Sequence, residues 1–287
     1  MTVRVHHLNC GTMRTFGLFP FSTIPLNNTG KLFRRGLGVI HCLLIAVEDD
    51  LILVDTGYGT QDYINPTKMV RYFNLSIALV NDIEEAAVRR ITALGYDPGD
   101  VKHIFLTHMH LDHTGGLPDF PQAHVHVYED EYRFAMNGRG LEAKFFIQRH
   151  WAHQPEWIIY RLEGDHWFGL DCTQPTMING VEIFFIPFLG HSHGNCAVVV
   201  HLPDDHWLIH AGDTYGYHGQ IDPEKPFYPR LQWLFRPLLN LNRITRSLFE
   251  YDHHLRHIKR ELGEKVDIFC AHDPQEFMQL SGEKLTW

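Results

Sequence analysis

The chain has 287 residues, 44% of them hydrophobic and 21% charged, which is ordinary for a folded globular protein and excludes collagen-like, low-complexity and coiled-coil chains. Its formal net charge of −9 disfavours attraction to the nucleic-acid backbone, so we expect no nucleic-acid partner. No apolar run reaches the roughly 18 residues of a membrane span, and the first residues lack the apolar core of a signal peptide. We therefore expect no transmembrane segment and a cytoplasmic location.

The first half of the chain is rich in predicted strands. Apolar and β-branched runs bounded by turn residues predict strands over Val3–Leu8, Val39–Val47, Leu51–Val54, Val101–Thr107 and Ala123–Tyr128. Asp82 and Glu85 form a predicted capping box at the start of a helix that ends at Gly95. The apolar positions of that helix recur at helical spacing, at Ile83, Ala87, Ile91 and Leu94.

The second half continues the mixed α/β pattern. Strands are predicted over Val181–Pro187, Cys196–Leu202, Trp207–His210 and Val266–Cys270. Ser247 and Glu250 predict the start of a second helix that ends at Gly263, with apolar positions at Leu248, Tyr251, Leu255, Ile258 and Leu262. No repeat or linker divides the chain, so we predict a single domain over residues 1–287 with insertions near 14–38 and 227–249. The second insertion is either a helix packed on the domain, a lid, a dimer contact or a membrane-surface helix.

Four residues of metal-ligating type fall within six positions directly after a predicted strand: His108, His110, Asp112 and His113. In an extended or turning segment the first two histidines can point the same way. Asp112 and His113 lie beyond the turn and reach a second point a few ångströms away. One loop can therefore serve two metal ions.

Three further candidate ligands, His191, Asp213 and His272, each follow a predicted strand, and strand ends on one rim of a sheet converge in space. With them the pattern resembles the metallo-β-lactamase superfamily of hydrolases, which implies an αββα four-layer sandwich. The resemblance implies that one metal is held by His108, His110 and His191, and the other by Asp112, His113 and His272. It also implies that Asp213 bridges the two ions, that Asp112 passes a proton to the leaving group, and that Asp55 orients a ligand histidine.

Two divalent ions with a shared carboxylate can hold a water between them, lower its pKa and leave a bridging hydroxide as nucleophile. We expect Zn²⁺, although histidine and carboxylate ligands also accept Mn²⁺, Fe and Co²⁺. Many family members have a histidine where this chain has Asn195, and His193 is a spare imidazole beside it. Other histidines, such as His6 and His7, are expected to be ordinary surface or core residues.

Within the superfamily the chain looks most like the lactonase branch, so we expect a small-molecule substrate that is a lactone or another carboxylic ester. Lactonases that open acyl-homoserine lactones carry a tyrosine three residues after the bridging aspartate. Here that position is Gly216, flanked by Tyr215 and Tyr217, which are therefore candidate substrate contacts. A homodimer is an arrangement that the sequence leaves open.

Three other functions fit parts of the same pattern. A glyoxalase-type thioesterase and a mononuclear iron sulfur dioxygenase would use the same fold, the second with one ion only. Residues 190–194 also match G-x-S-x-G, the serine-esterase elbow with Ser192 as nucleophile, but the segment after it reads as a strand where the elbow requires a helix. A purely structural zinc site is disfavoured because such sites favour cysteine ligands, which are absent from this set of seven residues. The five cysteines of the chain show no compact spacing, so we expect them to be reduced and mostly buried.

Overall fold

The computed structural model describes residues 2–14, 37–227 and 251–285. The two predicted insertions fall almost wholly outside these ranges, as do Ser247 and Glu250. All five cysteines lie within the described ranges, where they are free thiols and buried. This agrees with the expectation that they are reduced.

Six strands form the first sheet, and they are hydrogen-bonded in chain order. The first three are antiparallel, whereas the third to the sixth run parallel. Their bounds are β1 (Val3–Met13), β2 (Gly38–Val47), β3 (Asp50–Val54), β4 (Val101–Phe105), β5 (His124–Tyr128) and β6 (Glu156–Tyr160).

Seven further strands form a hairpin and a second sheet. The strands β7 (Leu162–Trp167) and β8 (Leu170–Thr173) pair with each other in a two-stranded sheet. The second large sheet has the order β13-β12-β11-β10-β9, in which β12 and β13 are parallel and the other neighbours antiparallel. Its strands are β9 (Thr176–Ile178), β10 (Val181–Pro187), β11 (Cys196–His201), β12 (Trp207–His210) and β13 (Val266–Phe269).

Helices connect the strands on the outer faces of the sheets. The described ranges contain α1 (Thr60–Ile64), α2 (Lys68–Ile77), α3 (Ala87–Ala93), α4 (Leu111–Thr114), α5 (Glu129–Asn137), α6 (Asp252–Leu262) and α7 (Pro274–Ser281). Within these ranges no helix combines the length and apolar character that crossing a membrane requires.

The layers follow from the alternation of side chains along the strands. Every residue of β2 is buried, because odd and even positions face different cores. Leu43 and Ile45 pack with Phe185 of the second sheet in the core between the sheets. Leu44 packs on the opposite face with residues of α2 and α3. On the outer face of the second sheet, Leu255, Ile258, Ile209 and Ile268 pack together and attach α6. The order is helix, sheet, sheet, helix, which confirms the predicted αββα sandwich.

The helix predicted from the capping box at Asp82 differs in the structure. Residues Ile83–Glu85 form one 3₁₀ turn, the backbone leaves helical geometry at Ala86 (ψ 138°), and α3 begins only at Ala87. The Glu85 carboxylate accepts hydrogen bonds from the Thr12 amide (2.7 Å) and hydroxyl (2.6 Å). The Glu85 side chain is therefore bonded to the buried Thr12 amide in the irregular part of β1, and it is not available for the predicted capping box.

Candidate metal centre

The candidate ligands meet at one edge of the sandwich because each lies just beyond the end of a strand. The segment 108–113 follows β4, His191 follows β10, Asp213 follows β12, and His272 follows β13. In the second sheet β12 and β13 are parallel neighbours, and β10 runs in the same direction because two antiparallel pairings separate it from β12. The ends of these three strands therefore lie on one rim of the sheet. All seven residues are buried, each with at most 8% of its surface exposed.

Ligand atoms of these seven residues form three groups within the described ranges, and the atoms of each group lie within 4.8 Å of one another. The groups share members, so they form one continuous cluster. Asp213 lies between its parts, since its Oδ2 is 3.0 Å from His191 Nε2 and its Oδ1 is 3.2 Å from His272 Nε2. The structure therefore brings all seven predicted ligands together, in the groups His108–His110–His191, His108–His113–Asp213 and Asp112–His113–His272.

The cluster has the properties that a bound cation requires. The Nε2 atoms of His108 and His113 are buried and have no hydrogen-bond partner among the residues that the structure describes. Leaving such an atom unpaired costs about 1–3 kcal/mol, which a coordinated cation would offset. Burial and neighbouring histidines hold the pKa of His108 well below its ordinary value, so its imidazole is neutral and available as a ligand.

The acidic residues give the cluster its affinity for positive charge. Burial lowers the pKa of His113, but the carboxylates of Asp55 and Asp112 outweigh it and raise the pKa to about 10. Burial raises the pKa of Asp213, but His272 and His191 outweigh it and hold the value well below the ordinary one. The same field that retains a proton on His113 would favour a metal cation in its place.

Asp55 contacts the loop after β4 through both of its carboxylate oxygens. It accepts hydrogen bonds from the Thr107 amide (2.8 Å) and hydroxyl (2.7 Å), and its Oδ2 lies 2.7 Å from His113 Nδ1. Its backbone has a φ of +56°, a strained value for a residue with a side chain. These contacts turn Nε2 of His113 towards Asp112 and Asp213. Asp55 thus lies against the candidate ligand histidine that the family resemblance expects it to orient.

Sequence reasoning missed Glu131, a fully buried residue of α5. Its carboxylate accepts hydrogen bonds from the Met109 amide (2.7 Å), the Ser192 hydroxyl (2.8 Å) and the Gly194 amide (2.7 Å). Burial raises the pKa of Glu131 to about 7, while the three hydrogen bonds act in the opposite direction. No local motif marks Glu131, because all three of its donors are distant in sequence.

Asn195 and His193 have different surroundings. Asn195 is buried and accepts a hydrogen bond from the Asp213 amide (3.2 Å), while its own amide donates to the Phe188 carbonyl and the Thr214 hydroxyl (3.1 Å each). Asn195 therefore fixes the loop that carries Asp213. His193 belongs to none of the ligand groups and stacks on Phe134, with ring centroids 3.8 Å apart.

The two tyrosines predicted to contact substrate are both buried. The Tyr215 hydroxyl donates to the Glu276 carboxylate (2.8 Å), and its ring packs in the core outside the second sheet. Both the hydroxyl and the ring of Tyr215 are thus engaged by other residues of the protein, which corrects the prediction of Tyr215 as a substrate contact. Tyr217 is 6% exposed and lies with its ring centroid 4.1 Å from that of His218.

The serine-esterase alternative lacks the geometry it requires. The Ser192 hydroxyl donates a hydrogen bond to Glu131, and only 3% of the surface of Ser192 is exposed. The chain after it enters the strand β11, whereas a nucleophile elbow leads into a helix.

A helix–sheet–sheet–helix sandwich with this cluster of histidines and aspartates at its rim defines a metal-dependent hydrolase. The model of the family described as the metallo-beta-lactamase superfamily matches residues 35–254. The chain belongs to the metallo-beta-lactamase superfamily.

Comparison with known proteins gives the same assignment. A Mycobacterium tuberculosis protein named a probable metallo-hydrolase is 35% identical over 275 residues, which is 95% of this chain and 81% of the relative. The N-acyl homoserine lactonase AiiA of Bacillus thuringiensis subsp. kurstaki is 26% identical over 83% of this chain and 82% of its own length. A solved N-acyl homoserine lactone hydrolase with N-hexanoyl-L-homoserine at its catalytic metal centre superposes with a TM-score of 0.59 at 20% identity, over 99% of this chain and 98% of that one.

Proposed function

We propose that the protein is a binuclear metal-dependent hydrolase that opens a lactone, in the manner of the N-acyl homoserine lactonases, or cleaves another carboxylic ester. The observation that carries the proposal is the position of Asp213, whose two carboxylate oxygens face His191 and His272 at 3.0 and 3.2 Å. Those histidines belong to different ligand groups. A carboxylate in this place suits a bridge between two ions. The lactonase names among its relatives and structural neighbours support the substrate class.

The residues divide into two positions with one shared member. His108, His110 and His191 would hold one ion and Asp112, His113 and His272 the other, with Asp213 between them. The nitrogen and oxygen donors suit Zn²⁺, and they also accept Mn²⁺, Fe and Co²⁺. Two ions held here would supply a water of lowered pKa and polarise the ester carbonyl.

The protein's own groups prepare the site for this chemistry. Asp213 is ionised in the cluster, because its low pKa keeps it without a proton at neutral pH. Asp55 fixes the ring of His113, and the Val39 carbonyl, 2.9 Å from His272 Nδ1, fixes that of His272. Asp112 Oδ2 lies 3.6 Å from His272 Nε2 and the residue keeps 6% of its surface exposed. We assign to Asp112 the transfer of a proton to the leaving oxygen.

Elemental mass spectrometry of protein purified without chelators tests the metal count, and lactone hydrolysis followed by acid release tests the reaction. We expect two divalent ions per chain and turnover of lactones. Asp213→Ala is expected to remain folded and to lose about 10³-fold or more in kcat/KM, because the shared ligand is gone. His193→Ala is the matched control, since it removes an imidazole from the same rim but from outside the ligand groups.

Three results would contradict the proposal. One iron per chain with oxygen-dependent sulfur chemistry would identify a mononuclear oxygenase. Thioester turnover without lactone turnover would identify a glyoxalase-type enzyme. Undiminished activity of Asp213→Ala would remove the bridging role.

A further inference from the structure

The carboxylate of Glu131 joins two ligand-bearing loops that are far apart in sequence. On one side it accepts the amide of Met109, the residue between His108 and His110. On the other side it accepts the Ser192 hydroxyl and the Gly194 amide, which follow His191. The Gly194 backbone lies so close to the Glu131 backbone that a Cβ at residue 194 would clash with the Glu131 nitrogen. Glu131 therefore sets the spacing of these two loops.

The two loops carry all three histidines of one candidate metal position. His108 and His110 flank one anchored amide, and His191 precedes the anchored serine. Across the junction His110 Nδ1 lies 3.1 Å from His191 Nε2, a spacing that small loop movements would change. The other position has separate supports, since His113 contacts Asp55 and His272 contacts the Val39 carbonyl.

We infer that Glu131 is a positioning residue that selectively organises the three-histidine metal position. The inference rests on the two-metal site of the proposed function and adds to it a residue outside the ligand set. Glu131 touches none of the three imidazoles in its hydrogen bonds, so it acts through the backbone and Ser192. It does not contact the reacting atoms and is not a catalytic residue.

The chemistry of the carboxylate explains why glutamate occupies this place. Three donors converge on its two oxygens, and both oxygens of a carboxylate can accept hydrogen bonds, so all three donors can be satisfied at once. In Glu131→Gln an NH₂ group would replace one acceptor and face at least one of these donors. In Glu131→Asp the charge remains, but the side chain is one methylene shorter and cannot reach both loops from the same backbone position.

The test measures zinc binding to the full-length protein. Zinc-loaded protein is titrated with a chromogenic chelator, and bound zinc is counted by native mass spectrometry. We expect Glu131→Gln and Glu131→Asp to bind one zinc about 10–100-fold more weakly while the other keeps its affinity. Each variant is then combined with His272→Ala to identify the weakened position. The His272→Ala substitution alone is expected to leave one zinc, bound at the three-histidine position. Under the same conditions, the combined variant is expected to bind no zinc.

Glu85→Gln is the matched control. Glu85 is also a buried glutamate that accepts a backbone amide and a hydroxyl, but both belong to Thr12 in β1. We expect this variant to lose stability and to bind both zinc ions as the unmodified protein does. Circular dichroism verifies folding, and if Glu131→Gln does not fold, Glu131→Asp decides the test.

The outcomes separate the inference from the function beneath it. Two zinc ions bound with unchanged affinity in the Glu131 variants, or equal weakening of both ions, would overturn the inference and leave the proposed function intact. Full affinity in Glu131→Asp with loss in Glu131→Gln would show that charge acts in place of positioning. Fewer than two ions in the unmodified protein would overturn the proposed function itself and this inference with it.

Discussion

The two sheets contribute to the candidate metal centre in different ways. The first sheet supplies four of the seven ligands from one segment, residues 108–113 after β4, whereas the second supplies His191, Asp213 and His272 from three separate loops. A single loop needs only the correct local turn. Three loops must in addition be held at fixed distances from one another. The contrast predicts that long-range supports matter most where the ligands are dispersed.

Buried carboxylates provide such supports on both sides. Asp55 holds the loop of the first sheet through Thr107 and His113. On the second sheet, Glu276 of α7 accepts hydrogen bonds from the Tyr215 hydroxyl (2.8 Å) and the Cys270 amide (2.9 Å). Glu276 thereby links the segment after Asp213 to the end of β13, just before His272. Each of these two acidic residues accepts hydrogen bonds from a backbone amide and from a side chain that is not a candidate ligand.

The largest expected effect is a pH dependence of stability that comes from Glu276. Burial, and after it the charge of Asp273, raises the pKa of Glu276 to about 8 from an ordinary 4.5. The folded state therefore binds this proton more tightly, so its contribution to stability is complete below pH 4.5 and is lost as the pH rises through about 8. We expect the free energy of unfolding to fall by roughly 3–5 kcal/mol over this interval through Glu276 alone.

Urea unfolding at pH 5.5 and 8.5, compared between the unmodified protein and Glu276→Gln, isolates this contribution. The neutral amide keeps partners for both the Cys270 amide and the Tyr215 hydroxyl, so the variant is expected to fold and to show a smaller difference between the two pH values. Contributions from the metal ligands occur in both proteins and cancel. Equal pH dependences would mean that Glu276 is not a protonated support of the second sheet's loops.

A smaller effect is expected on the side of the first sheet, from Asp55→Asn. The amide would place a donor against the Thr107 amide or against His113 Nδ1, so the His113 ring loses its fixed orientation. We expect the ion proposed for Asp112, His113 and His272 to bind about 10–100-fold more weakly, as measured by chelator competition.

Asp119→Asn is the matched control for Asp55→Asn. Asp119 likewise accepts a backbone amide and a hydroxyl, both of Thr60, but it belongs to none of the ligand groups. We expect the zinc affinity of the Asp119→Asn variant to equal that of the unmodified protein. If both aspartate variants weakened zinc equally, a general loss of stability would explain the result, and the specific support by Asp55 would be refuted.

The comparison also shows what the sequence can and cannot predict. The clustering of the seven candidate ligands was predictable because their residue types and spacing suit a metal site. The strands that precede them were predictable because they are apolar and mostly buried, as in β10. The strand β7 was missed: it is largely exposed and contains Gly164, and its pairing with β8 defines it. A strand of this kind has no apolar pattern to recognise.

The supports were missed for a different reason. Glu131 and Glu276 belong to helices of ordinary composition, and only their distant partners reveal what they do. Glu131 is 22 and 61 residues from Met109 and Ser192, and Glu276 is 61 residues from Tyr215. The same distance effect made the predictions for Glu85 and Tyr215 wrong, since each side chain bonds a partner that no local pattern identifies.

The smallest expected effect is that of Ser192→Ala, and it tests whether the junction between the two sheets depends on one donor. The variant removes the hydroxyl but leaves the Met109 and Gly194 amides on Glu131, so the loops keep two of their three links. We expect two bound zinc ions, less than about 1 kcal/mol of lost stability and kcat/KM within about threefold of the unmodified protein. A loss of about 10³-fold in lactone turnover with both ions bound would instead make Ser192 a nucleophile and contradict the metal mechanism. Because Glu131→Gln disturbs the acceptor that all three donors share, it is expected to weaken zinc binding where Ser192→Ala does not, and this difference locates the support in the carboxylate.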